Sequence, residues 1–117
     1  MKTFLISATI ALLFISSTLP QNSGAEFGQW CVADRQFPDG VVQAALDWAC
    51  QNGADCSKIQ PGQPCFEPNT VMDHASFVFN DFYQRKKHSG GTCDFHSAAV
   101  GTETDPSHGS CSFPYIP

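Results

Sequence analysis

Two segments of the chain carry apolar residues at helical spacing. Between residues 39 and 50 the apolar side chains recur every three or four positions, which places them on one face of a helix: Val42, Ala45, Leu46, Ala49 and Cys50. Asp39 can cap the start of this helix, and the polar residues 51–53, which include a glycine, can end it. The pattern therefore predicts an amphipathic helix over residues 39–50.

A second helix is predicted from Asn69 or Thr70 to about Lys87, where the pair Gly90-Gly91 follows. Thr70 and Asp73 form a short version of the capping box at its start. At about 100° per residue, seven apolar or aromatic side chains share one side of this helix: Val71, Met72, Ala75, Val78, Phe79, Phe82 and Tyr83. This side is expected to pack into the core.

Phe77 falls on the opposite side of the second helix, among polar residues: Asp73, Asn80, Asp81 and Gln84. Two interpretations stay open. In one, a long loop pinned by a disulfide folds over Phe77. In the other, the ring is exposed and stacks on the C–H face of a sugar, while neighbouring amides and carboxylates bind the sugar's hydroxyl groups.

The rest of the chain has the composition of loops. Residues 57–70 hold three prolines, and residues 97–109 are rich in small and polar side chains. Short strands are predicted around Cys65-Phe66 and Cys93-Phe95, although the alternation there is brief. The fold class predicted is a small disulfide-rich α+β domain.

The N-terminus has the pattern of a secretory signal peptide. Lys2 precedes an apolar run over residues 4–15, and small residues follow at Ser23-Gly24-Ala25. The run is too short to cross a bilayer, which needs roughly 20 apolar residues. We therefore expect cleavage after residue 25, a single domain over residues 26–117, and a secreted, extracellular protein.

All six cysteines lie beyond this signal: Cys31, Cys50, Cys56, Cys65, Cys93 and Cys111. An even number of cysteines in a short secreted chain predicts three disulfides, but their positions alone do not select a pairing. No CxxC pair accompanies the four histidines, so neither a structural metal site nor a cofactor is expected.

Charge and motifs exclude several function classes. The formal net charge of −5 argues against nucleic acid as a partner, because phosphate binding needs a clustered positive surface. The basic run Arg85-Lys86-Lys87 suits the C-terminus of a helix. No apolar tail closes the sequence, so no lipid anchor or membrane insertion is expected. No nucleophile motif is present, and a small domain offers little cleft for a carboxylate pair, so we predict that the protein is not an enzyme. We also expect a monomer.

A series of short motifs runs from Trp30 to Phe113: Trp30-Cys31-Val32-Ala33, Leu46-Asp47-Trp48-Ala49-Cys50, Asp55-Cys56, Ile59-Gln60, Cys65-Phe66, Pro68-Asn69-Thr70, His74-Ala75-Ser76, Asn80, Tyr83-Gln84, Cys93-Asp94-Phe95, Asp105-Pro106-Ser107 and Gly109-Ser110-Cys111. Together these motifs resemble the plant X-eight domain, carbohydrate-binding module family 43. The resemblance implies two packed helices, a small antiparallel sheet and long coil segments. It also implies the disulfides Cys31–Cys93, Cys50–Cys111 and Cys56–Cys65.

For function, the resemblance implies non-catalytic binding of 1,3-β-glucan, the callose of the plant cell wall. The expected carbohydrate-binding residues are Phe77 as the stacking ring, Asp73, Asn80 and Gln84 as hydrogen-bonding groups, and Tyr83 and Phe95 as further contributors.

The sequence departs from the family at three positions. The family usually has tyrosine where this chain has Phe77, Phe82 and His108. The two phenylalanines keep the ring but lack the hydroxyl group, and His108 lacks the phenol ring.

An alternative function is a secreted defence or signalling protein that acts through a protein partner.

Overall fold

The computed structural model describes residues 28–117, so the predicted signal peptide over residues 1–25 lies outside the described residues. The chain forms strand β1 (Trp30–Ala33), helix α1 (Asp39–Gln51), a 3₁₀ turn (Ser57–Ile59), helix α2 (Val71–Lys86), a second 3₁₀ turn (Lys87–Ser89) and strand β2 (Ala99–Thr102). The predicted α+β class with two helices and a small antiparallel sheet is confirmed.

Helix α1 begins and ends close to the predicted bounds. Its N-cap is Pro38 and no side chain caps the first turn, so the predicted capping role of Asp39 is wrong. At the other end, the Asn52 N–H donates to the Ala49 carbonyl at 3.1 Å. Gly53 then adopts a φ of 111°, which glycine reaches without steric cost.

Helix α2 has the predicted cap. The Asp73 N–H donates to Thr70 Oγ1 at 3.1 Å, and the Thr70 hydroxyl donates to the Asp73 carboxylate. The α-helical turns end at Lys86, one residue before the predicted end. Gly91 N–H then donates to the Lys86 carbonyl at 2.8 Å. A side chain at Gly91 would collide with the Lys86 backbone, so this turn needs a glycine.

The two strands lie elsewhere than the sequence pattern suggested. β1 pairs with β2 in antiparallel register, with Cys31 opposite Gly101 and Ala33 opposite Ala99. The predicted strands at residues 65–66 and 93–95 are wrong, because turns occupy both segments. Phe66 N–H donates to the Gln63 carbonyl at 3.1 Å, and Phe95 has a φ of 52°.

The core lies between α1, α2 and β1. Its largest fully buried apolar side chains are Cys111 of the C-terminal segment and four from these three elements: Cys31, Val42, Val78 and Phe79. Leu46 and Ala49 of α1 and Ala75 of α2 complete the helix interface as predicted from their spacing. The helices therefore pack through the apolar stripes that the sequence shows.

Three disulfides are present, and one of the three predicted pairs is confirmed. Cys31–Cys93 ties β1 to the segment after α2. The other predicted pairs, Cys50–Cys111 and Cys56–Cys65, are wrong, since the structure joins Cys50 to Cys56 and Cys65 to Cys111. The turn after α1 brings Cys56 back to the helix end, and the C-terminal segment crosses over Cys65, with Cα–Cα distances of 5.8 and 4.8 Å.

Candidate functional site: an aromatic groove beside Trp48

Phe77 is buried, with only 4% of its surface exposed. Its ring contacts the Phe113 ring edge to face, with centroids 5.5 Å apart. Phe113 follows shortly after Cys111, which is bonded to Cys65. The expectation of an exposed stacking ring at Phe77 is therefore wrong, and the interpretation in which a disulfide-pinned segment covers the ring is confirmed.

Asn80 and Gln84 are buried as well, and their amides bind the backbone of the chain itself. Cys31 N–H donates to Asn80 Oδ1 at 3.1 Å, and Gln84 Nε2 donates to the Gln29 carbonyl at 2.8 Å. Ser76, one helical turn earlier, accepts the Ala33 N–H at 3.0 Å. Side chains at every fourth position of α2 thus bind alternate residues of β1 and the residue just before the strand, and are not free for a ligand.

Asp73 lies in a separate small hollow of about 290 Å³, with Arg35 and His108 among its lining residues. Arg35 Nη2 donates to Asp73 Oδ1 at 2.9 Å. Burial alone would raise the pKa of Asp73, but the hydrogen bonds from Thr70 and Arg35 outweigh it and lower the pKa below 3.8. The carboxylate is therefore held in an ion pair with Arg35.

Tyr83 and Phe95 are half-buried and lie on different surfaces. The Tyr83 ring is 5.6 Å from the Lys87 ammonium. The Phe95 ring stacks on Phe79, with centroids 4.3 Å apart and planes at 16°. Of the six predicted sugar contacts, Phe95 is the one that lines a wide concave surface between the two helices and the segment after α2.

This concave surface, the Trp48 groove, has a volume of about 890 Å³. Its lining residues come from α1, from α2 and from the segment after α2: Gly40, Val41, Ala44, Ala45, Trp48, Phe82, Gly90, Gly91, Thr92, Asp94, Phe95 and His96. Three rings form its floor. The Trp48 centroid is 5.3 Å from Phe82 and 6.3 Å from Phe95, while Phe82 and Phe95 are 5.3 Å apart.

Helix α1 supplies the first wall of the groove. Val41, Ala45 and Trp48 follow each other at spacings of four and three, so they form one stripe. This stripe lies beside the core-facing stripe of Val42 and Leu46. The indole of Trp48 contacts the rings of Phe82 and Phe95 on one side, and Trp48 is still 51% exposed.

The second wall is a left-handed turn. Phe95, His96 and Ser97 have φ values of 52°, 56° and 70°. Each such residue is strained because its Cβ approaches the following carbonyl. Hydrogen bonds close the turn, from Ala98 N–H to the Phe95 carbonyl and from Ala99 N–H to the Asp94 carbonyl, both at 3.1 Å.

The turn is also fixed from its sides. The Cys31–Cys93 disulfide ends two residues before Phe95, and the Phe95 ring is clamped by its stacking on Phe79. Strained backbone of this kind is found where a surface has to present side chains in one arrangement. Here it places Phe95 and His96 at the groove.

Trp48 is the residue that sequence reasoning missed. The sequence already contained the signal, because Trp48 falls outside the apolar stripe of α1 in the same way that Phe77 falls outside that of α2. A segment of the chain covers Phe77, whereas Trp48 is left exposed. The groove has an aromatic floor and a polar rim of Thr92, Asp94 and His96, which suits a ligand with an apolar face and hydrogen-bonding edges.

Neither a metal site nor a membrane-spanning helix is found in the described part of the chain. Among residues 28–117, no three His, Cys, Asp or Glu side chains are grouped so that they could hold a metal ion. Within the same residues, no helix combines the length and apolar character needed to cross a bilayer.

Comparison with known proteins identifies the family. The model of the X8 domain matches residues 29–100. A glucan endo-1,3-beta-glucosidase 1 of Arabidopsis thaliana is 52% identical over 86 residues, which are 73% of this chain and 17% of that protein. The plasmodesmata callose-binding protein 1 of the same plant is 42% identical over 105 residues, 90% of this chain and 52% of its own length.

A glucan endo-1,3-beta-D-glucosidase of Olea europaea is 45% identical over 87 residues, 74% of this chain and 19% of that enzyme. This chain thus spans between under a fifth and about half of the length of these relatives. The small disulfide-bonded α+β domain defined by its helices and sheet is an X8 domain, and the chain belongs to that family.

Proposed function

We propose that this X8 domain binds 1,3-β-glucan in the Trp48 groove without cleaving it. The observation that carries the proposal is the half-exposed indole of Trp48 above the rings of Phe82 and Phe95. In a soluble domain, an aromatic side chain held open at a concave surface marks a binding site.

The geometry of the groove fits a pyranose. The faces of glucose units in a β-linked chain present C–H groups, which pack against an aromatic ring, while their edges present hydroxyl groups. Trp48 supplies the ring, and Thr92, Asp94 and His96 supply donors and acceptors at the rim. Since a stacked ring contributes only about 0.5 to 1.5 kcal/mol, we expect weak binding by each groove.

The names of the relatives support a glucan as the ligand. One relative is a callose-binding protein, and several are glucan endo-1,3-beta-glucosidases that share only this domain-sized region with the chain. A 1,3-linked glucan is the chemistry common to these names.

Binding without hydrolysis is the second part of the proposal. Hydrolysis of a glycoside needs two carboxyl groups about 5 to 9.5 Å apart across the bond. Among the described residues that line the Trp48 groove, Asp94 is the one carboxylate. The groove can therefore hold a glucan but lacks the acid and base pair that cleavage requires.

The proposal includes an extracellular, wall-associated and monomeric protein, released by cleavage of the predicted signal at residues 1–25. The three disulfides support the extracellular location, because such bonds persist in oxidising compartments. The name of the plasmodesmal relative supports the association with the wall.

The test is retention of the oxidised domain on insoluble 1,3-β-glucan, with cellulose as the control polymer. Trp48→Ala is expected to lower the affinity about tenfold, the effect of losing one stacked anchor. Val100→Ala is the matched variant, since Val100 is 47% exposed on β2 and does not line the groove. It should bind like the parent.

Three outcomes would contradict the proposal. Equal retention of Trp48→Ala and parent would remove the groove as the site. Equal retention of the parent on cellulose and on 1,3-β-glucan would remove the linkage preference. A rise in reducing ends in the glucan suspension over time would show cleavage and overturn the non-catalytic part.

A further inference from the structure

A second aromatic surface lies away from the Trp48 groove. We define it as the Tyr115 face, made of Trp30, Tyr83, Lys87 and Tyr115. The Trp30 and Tyr115 rings are 5.6 Å apart between centroids. Lys87 Nζ lies 4.4 Å from the Tyr115 centroid and 5.6 Å from that of Tyr83. One ammonium group thus sits against two phenol rings, with an indole beside them.

The C-terminal segment is held so that Tyr115 stays at the surface. On one side of it, Asn80 Nδ2 donates to the Pro114 carbonyl at 2.8 Å. On the other side, Ile116 N–H donates to Gln84 Oε1 at 3.0 Å. Because both flanking residues are tied to buried amides, the Tyr115 ring remains 44% exposed without being loose. A ring fixed in place loses little freedom when a ligand stacks on it.

The Tyr115 face and the Trp48 groove are distinct. Tyr83 follows Phe82 in α2, and successive helical side chains point about 100° apart. None of the described residues that line the groove belongs to the Tyr115 face. A ligand on one surface therefore leaves the other free.

Lys87 has no carboxylate partner among the described residues. The two ion pairs in residues 28–117 are Arg35–Asp73 and Arg85–Asp81. The Lys87 ammonium lies against the rings of Tyr83 and Tyr115, and its partial burial there lowers the pKa of Lys87. An ammonium in this state gains more from a carboxylate than a fully hydrated one does. Arg85 and Lys86 precede it in sequence, so the positive charge is local in an otherwise acidic chain.

Trp30 adds a second unmet polar group. Its indole Nε1 is buried and has no hydrogen-bond partner among the described residues. Buried donors nearly always have a partner in folded proteins, so each exception calls for a cause. Here the unpaired donor belongs to a ring that packs against Tyr115.

We infer that the Tyr115 face binds a polysaccharide of uronic acid units, with one pyranose ring on Tyr115 and its carboxylate at Lys87. The aromatic rings favour a pyranose, and the unpaired ammonium favours a charged sugar over a neutral one. A nucleic acid is disfavoured, because the short basic run Arg85-Lys86-Lys87 in a chain of net charge −5 does not form the extended positive surface that phosphates need. This site is independent of glucan binding in the Trp48 groove.

The test measures binding of the oxidised domain to immobilised polygalacturonate at low ionic strength. The same polymer with its carboxyl groups methyl-esterified is the matched neutral ligand. We expect the parent to bind the charged polymer more tightly than the ester, and Lys87→Gln and Tyr115→Ala each to weaken binding about three- to tenfold. Lys58→Gln removes the same charge from an exposed turn and should bind like the parent.

Other results overturn the inference. Equal binding of the charged polymer and its ester would show that Lys87 does not select a carboxylate, and an equal loss in Lys58→Gln would show nonspecific attraction. Loss of 1,3-β-glucan retention in a folded Tyr115→Ala variant would assign the face to the neutral glucan. No binding to polygalacturonate by a folded parent would end this inference while the glucan proposal, measured on 1,3-β-glucan with Trp48→Ala, still stands or falls on its own.

Discussion

The side-chain amide of Asn80 joins β1 to the C-terminal segment. Its Oδ1 accepts the Cys31 N–H at 3.1 Å, and its Nδ2 donates to the Pro114 carbonyl at 2.8 Å. Asn80 is fully buried, so both backbone groups would lose their partner if the amide were removed. One residue of α2 therefore fixes the strand below the helix and the segment that presents Tyr115.

Asn80→Leu should lower the free energy of unfolding by about 2 to 4 kcal/mol, because it leaves a buried N–H and a carbonyl without partners. Denaturant unfolding with the disulfides intact measures this. Asn69→Leu is the control, since Asn69 is exposed and outside the regular elements. It should change stability by less than about 0.5 kcal/mol. Equal effects of the two substitutions would show that the Asn80 hydrogen bonds do not stabilise the fold.

The helices could be predicted from the sequence because each buries one stripe of apolar residues at helical spacing. The polar side of α2 was misinterpreted for a physical reason. Ser76, Asn80 and Gln84 recur every fourth residue, which indicates a shared face but not what covers it. Their partners are backbone groups of β1, of Gln29 just before it and of the C-terminal segment, up to 55 residues away in sequence, and backbone groups leave no pattern in side chains.

The strands and the groove were missed for related reasons. β1 and β2 have only four residues each, too few for alternation to be distinctive. The wall of the Trp48 groove depends on positive φ values at Phe95, His96 and Ser97. None of these three residues is glycine, the residue type that usually indicates a positive φ, so the sequence did not indicate the turn. The cysteine spacing left the disulfide pairing open, because the partners depend on the paths of the loops, and two of the three pairs implied by the resemblance are wrong.

Phe77→Ala should destabilise the domain by about 3 to 5 kcal/mol, since it removes a buried ring that packs against Phe113. The Phe77→Ala protein that remains folded should still bind 1,3-β-glucan, because Phe77 does not line the Trp48 groove. Thermal unfolding and glucan retention at low temperature, measured on the same sample, separate the two effects. A variant as stable as the parent that fails to bind would instead return Phe77 to the binding surface.

Ser97→Gly should raise the free energy of unfolding by roughly 0.5 to 1 kcal/mol. Ser97 is exposed with a φ of 70°, a conformation that strains a side chain and suits glycine. Ser112→Gly is the matched control, because Ser112 is also exposed but does not have a positive φ. It should lower stability slightly through the added freedom of the unfolded chain. Both free energies come from denaturant unfolding, and a loss at Ser97 as large as at Ser112 would argue against a strained turn.

The stability of the domain should fall in acid, in part through Asp73. Hydrogen bonds from Thr70 and Arg35 outweigh burial and lower the pKa of Asp73 in the folded state below its ordinary value of 3.8. Near that pH the unfolded chain therefore binds more protons than the folded one, so stability rises with pH. The contribution of Asp73 is complete above 3.8 and is lost as the pH falls through the lower pKa of the folded state.

Asp73→Asn should therefore be less stable than the parent at neutral pH and should lose less further stability between about pH 5 and pH 2. The pKa values of Asp55 and Asp105 are also lowered, mainly by hydrogen bonds from Ser57 and Ser107, so some acid sensitivity remains in the variant. Glu103→Gln, which neutralises an exposed carboxylate outside the helices and strands, should retain the acid slope of the parent. Denaturant unfolding across this range gives the slopes, and identical slopes for parent and Asp73→Asn would show that the ion pair with Arg35 does not link folding to pH.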